Sequence, residues 1–172
     1  MKRIGLLSDT HSLWDDRFAL HFRDCDEIWH AGDIGCIDVL QRLEGVCPVV
    51  RAVRGNIDSG IVARRCPELL TFDVEGVRVL LTHIGGYPGR YSRGMADLLR
   101  REHVGLFVCG HSHILKVMYD QELGLLHINP GAAGNQGWHK QRTLIRFVID
   151  GADMRDLEVI ELNPPSPIPS IT

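Results

Sequence analysis

The sequence predicts a mixed α/β domain built on two sheets, and three observations carry that reading. Short apolar runs alternate with helical stretches through the first third of the chain. Later apolar runs pair instead across turn signals such as Glu75-Gly76 and Asp150-Gly151. At the ends of several runs stand Asp, Asn or His residues, most of them beside glycine.

The elements follow in order. Ile4 to Leu7 reads as a buried strand. Asp15 or Asp16 can cap a helix running to about Arg23, with Phe18, Ala19 and Phe22 on one face. Glu27 to His30 is a short strand, Ile37 to Leu43 a second helix, and Val49 to Val53 a third strand. This β-α-β-α-β order favours parallel strands. Leu69 to Val74 and Val77 to Leu81 form a hairpin, and a helix follows from about Ser92 to Glu102. Leu106 to Cys109 is a buried strand. Leu115 to Tyr119 pairs with Leu125 to Ile128, and Thr143 to Ile149 pairs with Met154 to Leu162. Asn129 to Gly134 reads as a loop. The second sheet is expected to be largely antiparallel. Residues 1–163 form one domain, and the Pro-rich tail 164–172 is expected to be extended and mobile.

Composition narrows the function. A chain of 172 residues with 44% apolar and 24% charged residues suits one globular domain with a substantial core. A net charge of −3 gives no sign of a nucleic-acid-binding face. Five cysteines, with no Cys-x-x-Cys pair, predict reduced thiols and a cytoplasmic location. No apolar stretch approaches the ~20 residues of a membrane span. The basic, then apolar, N-terminus is broken by Asp9 and His11, so it reads as a strand and not a secretory signal.

The chemistry sits after the strands: Asp9 and His11, then Asp33, Asn56, His83, and finally His111 and His113. Asp9 and His11 share a parity, so an extended chain would point both the same way. Singly, each residue is ordinary turn chemistry. Together, on the carboxyl edge of parallel strands, they exceed the needs of one ion. They suit two divalent ions ~3.5–4 Å apart, with Asp33 as the bridge. A nitrogen and oxygen set without cysteine favours Mn, with Zn, Fe, Ni or Co as alternatives, over Ca or Mg. His30 and Asp58 are expected to support the ligands from behind. His21, His103 and His127 match no motif. Cys36 and Arg42 have the Cys-x5-Arg spacing of thiol phosphatases, but no glycine between them lets backbone N–H groups wrap a phosphate.

The ordered series Asp9-x-His11, Gly32-Asp33, Gly55-Asn56-x-Asp58, His83 and Gly110-His111-x-His113 resembles the calcineurin-like metallophosphoesterase superfamily. The short chain and Asn129-Pro130-Gly131 resemble its small YfcE-like phosphodiesterase branch, which includes the retromer scaffold subunit of eukaryotes. The resemblance runs from about residue 3 to residue 160. It implies a four-layer α-β-β-α sandwich. It also implies one metal held by Asp9, His11, Asp33 and His113, and another by Asp33, Asn56, His83 and His111. Three positions depart from the family pattern. Ile57 stands where many relatives have a His that helps protonate the leaving group. Thr82 stands where the family has Gly before its His, and Ala132 where it has Ser.

The expected activity is hydrolysis of a small phosphodiester by hydroxide bridging the two metals, with Asp33, Asn56, His83 and His111 as the catalytic set. Two divalent ions against two carboxylates would attract an anionic ester despite the negative whole. Asn56, His139 and Arg142 are candidate substrate contacts, as are Lys140, Arg90 and Tyr91. The chain is expected to form a homo-oligomer. The competing readings are a non-catalytic scaffold on the same fold and a metal-binding regulatory module.

Overall fold

A computed structural model describes residues 1–163; the Pro-rich tail 164–172 lies outside the described residues. Strand β1, Lys2–Leu7, sits in the middle of the first sheet. Ile4 and Leu6 point to one side of it and Leu7 to the other, and all three are fully buried. Two covered faces explain a continuous apolar run with no alternation.

Asp15 caps helix α1, Asp16–Phe22, by accepting from the Arg17 N–H. Strand β2, Glu27–His30, leads to α2, Ile37–Val46, and then to β3, Val50–Ala52. Helix α2 runs three residues past its expected end at Leu43. Helix α3, Gly60–Arg65, was not foreseen. It has six residues, begins with Gly, and buries Val62 alone, so it leaves no periodic signal.

Strands β4, Leu69–Val74, and β5, Val77–Thr82, form the expected hairpin. The loop beyond holds an unforeseen two-residue ribbon, β6 (Gly86–Tyr87) and β7 (Arg90–Tyr91). Helix α4 spans Met95–Arg101. It starts later than Ser92 because Gly94, at φ 77°, is left-handed. Then come β8, Leu106–Val108, β9, Leu115–Asp120, and β10, Leu125–Pro130. Asn129 and Pro130 pair with Lys116 and Leu115, so the expected loop begins as strand. The last hairpin is β11, Thr143–Asp150, with β12, Asp153–Glu161.

The first sheet has the order β12-β11-β1-β2-β3 and the second β4-β5-β8-β10-β9. Both are mixed. The second is not largely antiparallel, because β5–β8 and β8–β10 run parallel. The late hairpin also joins the first sheet, where β11 lies antiparallel to β1. Local hairpin signals cannot reveal which sheet a hairpin joins.

Three apolar clusters define four layers. Ile4, Leu6, Trp29, Val79, Leu106 and Phe147 pack between the sheets. Phe18, Phe22, Val39, Leu40 and Val62 cover the first sheet from helices α1 to α3. Met95 and Leu99 of α4 cover the second sheet against Leu80 and Phe107. All five thiols are free, and burial pushes Cys25 and Cys66 up to about 11 and Cys109 to about 12. Cys36 precedes α2, and Arg42 pairs with Asp38 at 2.7 Å, so the thiol-phosphatase spacing belongs to a helix. Among the described residues, no helix is long and apolar enough to cross a membrane.

Leu6 tests the inter-sheet layer. Leu6→Ala should cost ~2–5 kcal/mol in urea unfolding, the range for a buried leucine that leaves a cavity.

Candidate metal centre

Strands β1, β2 and β3 run parallel in one sheet, and β5 and β8 run parallel in the other. Asp9 and His11 follow β1, Asp33 follows β2, and Asn56 follows β3. His83 follows β5, and His111 and His113 follow β8. Their side chains converge in two groups. In each of Asp9–His11–His113 and Asp33–His83–His111, the ligand atoms lie within 4.8 Å of one another. Asp33 stands between the groups. Its Oδ1 lies 3.2 Å from His83 Nε2, and its Oδ2 lies 3.6 Å from His11 Nε2. Asn56 completes the second group, with Oδ1 3.1 Å from His83 Nε2.

The local backbone is unusual. Asp9, His11, Asp33, His111 and His113 have φ of 54°, 46°, 53°, 69° and 60°. Non-glycine residues seldom occupy this left-handed region, and they do so where the surroundings enforce it. The shared-parity expectation for Asp9 and His11 therefore fails, since the chain is not extended beyond Leu7. A tight turn brings them together, with the His11 N–H donating to the Asp33 carbonyl at 3.0 Å. Gly55 and Gly110 serve close approach. A Cβ at Gly55 would overlap the Asp33 carboxylate, and one at Gly110 would overlap Ser8 and crowd Asp9.

The polar groups fit a cation. Asp9 Oδ2 accepts from Ser8 Oγ at 2.6 Å and from the His111 N–H at 3.2 Å. Among the described residues, Asp9 Oδ1 and His11 Nε2 are buried with no hydrogen-bond partner. Buried polar atoms are rarely left unpaired, and both orphans face the same group of ligands. The imidazoles are prepared as ligands. His83 Nδ1–H donates to the Ala31 carbonyl at 2.7 Å, which leaves the Nε2 lone pair to the centre.

Electrostatics agree. Burial opposes the charged form of His83, yet the carboxylates of Asp33 and Asp9 outweigh it and hold its pKa above the ordinary value. The Asp9 carboxylate, 3.1 Å from His113 Nε2, likewise raises His113. Burial works against ionised Asp33, but His83 and the Ile57 N–H bring its pKa below the usual carboxylate range. Two carboxylates thus make a negative pocket that holds positive charge.

Several supports were visible in sequence only as neighbours of ligands. His30 is fully buried, and burial pushes its pKa down to about 4. Its Nδ1 accepts from the Gly32 N–H at 3.1 Å, so Nε2–H donates to Thr10 Oγ1 at 2.9 Å. This neutral imidazole ties the Asp9 turn to the Asp33 turn. Asp58 accepts N–H groups from Ile34, Gly35 and Gly55, and so joins the loops of Asp33 and Asn56 without meeting a ligand histidine. Asn129 was missed as a support. Its amide donates to the Gly110 carbonyl and Ser112 Oγ, which braces the loop of His111 and His113.

Two expected substrate contacts are engaged elsewhere. Arg142 is buried, donates to the Ala133 carbonyl at 2.8 Å and pairs with Asp15 at 3.0 Å. His139 backs a ligand instead: its Nε2–H donates to the Gly134 carbonyl at 2.9 Å, and its Nδ1 lies 3.2 Å from His113 Nδ1. With His139 Nδ1 as acceptor, His113 carries its proton on Nδ1 and turns a free Nε2 toward Asp9. The Tyr91 hydroxyl donates to Asp120 at 2.6 Å, away from the ligands. Arg90 and Lys140 are exposed.

His139→Ala should weaken metal binding ~10–100-fold, the usual effect of removing a ligand's hydrogen-bond partner, as read by competition with a fluorescent chelator. Affinity in both proteins should also fall as pH drops, because protons compete with metal for His83 and His113, whose pKa values are raised.

Comparison with known proteins places this geometry. A family model described as the calcineurin-like phosphoesterase superfamily domain matches residues 1–152. A "Probable metallophosphoesterase" of Methanothermobacter thermautotrophicus is 33% identical over 136 residues, covering 75% of this chain and 76% of that protein. Vps29 of Entamoeba histolytica, solved with zinc, superposes with a TM-score of 0.72 at 16% identity, covering 94% of this chain and 99% of that one. A structure described as a novel archaeal phosphodiesterase gives a TM-score of 0.70 at 18% identity, covering 92% and 99% of the two chains. The matched model and the Methanothermobacter relative, together with the ordered ligand turns, make this chain a member of the calcineurin-like phosphoesterase superfamily.

Proposed function

We propose that the chain is a phosphodiesterase that works with two divalent ions, with manganese as the first choice. The observation that carries this reading is Asp33, which turns one carboxylate oxygen toward each group of ligands. When bound, the ions would supply a water acidic enough to ionise near neutral pH, with a pKa of about 7, and positive charge for the phosphoryl oxygens.

The remaining work belongs to the protein's own residues. Asp9 and Asp33 hold the cation charge, while Ser8 and the Ile57 N–H orient their second lone pairs. His83 and His111 lie edge to face at 5.2 Å and wall the second group. Asn56 offers its amide oxygen to the centre and its amide N–H groups to a phosphoryl oxygen. Ile57 is 44% exposed and has no proton to give. A leaving group must therefore depart as a weak base, which favours esters of acidic alcohols.

A second reading is a protein-binding scaffold. Strand β9 lies at the edge of its sheet and exposes Leu115, Val117, Met118 and Tyr119. An apolar edge strand offers unpaired backbone groups to another chain, including a second copy of this one.

Metal analysis and turnover separate the two. Wild type should bind two Mn²⁺ per chain and hydrolyse a chromogenic diester faster than the matching monoester. Asp33→Ala and His111→Ala should abolish turnover and keep the circular dichroism of the parent. Two bound metals with neither ester cleaved would leave the scaffold reading standing. Ile57→His should raise kcat/KM for alkyl esters on the order of 10²-fold, the scale of a positioned general acid, and change nitrophenyl esters little.

A further inference from the structure

Two pockets open beside the second group of ligands, and Ile84 lines both of them. The larger, about 330 Å³, has Arg54, Asn56, Glu68 and His83 on its walls. The smaller, about 130 Å³, begins at His111 and is enclosed by Tyr87, Ser112, Lys116 and His127. Because His111 is itself part of that wall, a group seated there is within reach of an ester held at the centre.

We propose that the smaller pocket is a subsite for one organic arm of the ester, and that the arm it takes is a single six-membered aromatic ring. This rests on the phosphoesterase reading and names its substrate class more closely. Size is the first argument. A cavity of about 150 Å³ binds benzene, so 130 Å³ suits one ring and excludes a fused pair. The walls are the second. The Tyr87 ring forms one side and is fixed by the Lys116 ammonium, 3.5 Å from the ring centroid. The His127 ring forms another, held against Phe107 with centroids 5.1 Å apart. Offset and edge contacts with such rings favour an aromatic guest over an alkyl one.

His127 belongs to no ligand group, and it is 99% buried, with Nδ1 unpartnered among the described residues. Burial pushes its pKa down to about 4, so the imidazole is uncharged at neutral pH and adds no second cation to the wall. The ammonium of Lys116, also in the wall, suits a ring tethered to an anion. The division at Ile84 adds the last point. A monoester has one organic arm and fills one pocket. A diester has two arms and fills both, with the ring in the small pocket and the larger, more polar arm beside Arg54 and Glu68.

The test compares a ring with a methyl group. With Mn²⁺-loaded protein, phenyl phosphate should inhibit diester cleavage about tenfold more tightly than methyl phosphate. Tyr87→Ala should erase that preference, whereas Tyr87→Phe should keep it. A second readout uses chelator-treated protein without turnover: benzyl alcohol should give saturation-transfer NMR signals with wild type and Tyr87→Phe, and lose them with Tyr87→Ala. Equal inhibition by the two phosphates, or a preference that survives Tyr87→Ala, overturns the subsite. If no ester is cleaved but benzyl alcohol still distinguishes the variants, the hydrolase reading fails and the ring pocket stands.

Discussion

Two carboxylates, Asp9 and Asp33, are sealed at the seam between two sheets, and the surrounding structure answers to their charge. Burying an ionised carboxylate is costly unless donors or cations surround it. Each has donors on one side only. Asp9 is met by Ser8 and the His111 backbone, and Asp33 by the Ile57 backbone. Histidines drawn from three different turns face Asp9 Oδ1 and both oxygens of Asp33. Five left-handed residues hold those turns, an arrangement that local sequence preference would not choose. The loops are therefore pinned from behind, by His30 and Thr10, by Asp58 and by Asn129. The strain is concentrated at the ligands, and the hydrogen bonds that offset it lie one layer out.

Much of this was legible in the chain. Asp, Asn and His after apolar runs mark both the strand ends and the edge where ligands gather, because a parallel sheet delivers its carboxyl ends together. The seven ligand candidates meet as their order suggested. What was not legible is non-local or too short for a period. Helix α3 buries a single side chain, and β6–β7 is two residues per strand. The role of Asn129 depends on Gly110 and Ser112 across the sheet, a partnership no spacing announces. His139 and Arg142 share a stretch of sequence but go opposite ways, one to His113 and the other to Asp15. A basic residue in a loop carries no record of which carboxylate or imidazole will claim it.

The fold supplies the same edge to an enzyme or to a scaffold, and the difference lies in what fills it. Here every ligand position holds a group that can donate a lone pair, and two of those atoms have no hydrogen-bond partner among the described residues. The apolar strand β9 is a separate surface on the same sheet. Binding a protein there and hydrolysing an ester at the ligand edge are physically compatible.

Strand β1 has a further consequence, because it lies between β2, about twenty residues ahead, and β11, about 140 residues ahead. During synthesis the parallel partner is at hand early, but the antiparallel one emerges only near the end of the domain. Until then one flank of β1 is an open row of amide and carbonyl groups, directly beside the turn that carries Asp9 and His11. The nascent chain therefore assembles most of its ligands on a sheet that is still unfinished. The last hairpin closes a flank exposed since the start, so any delay there lengthens the window in which β1 can pair with the wrong chain.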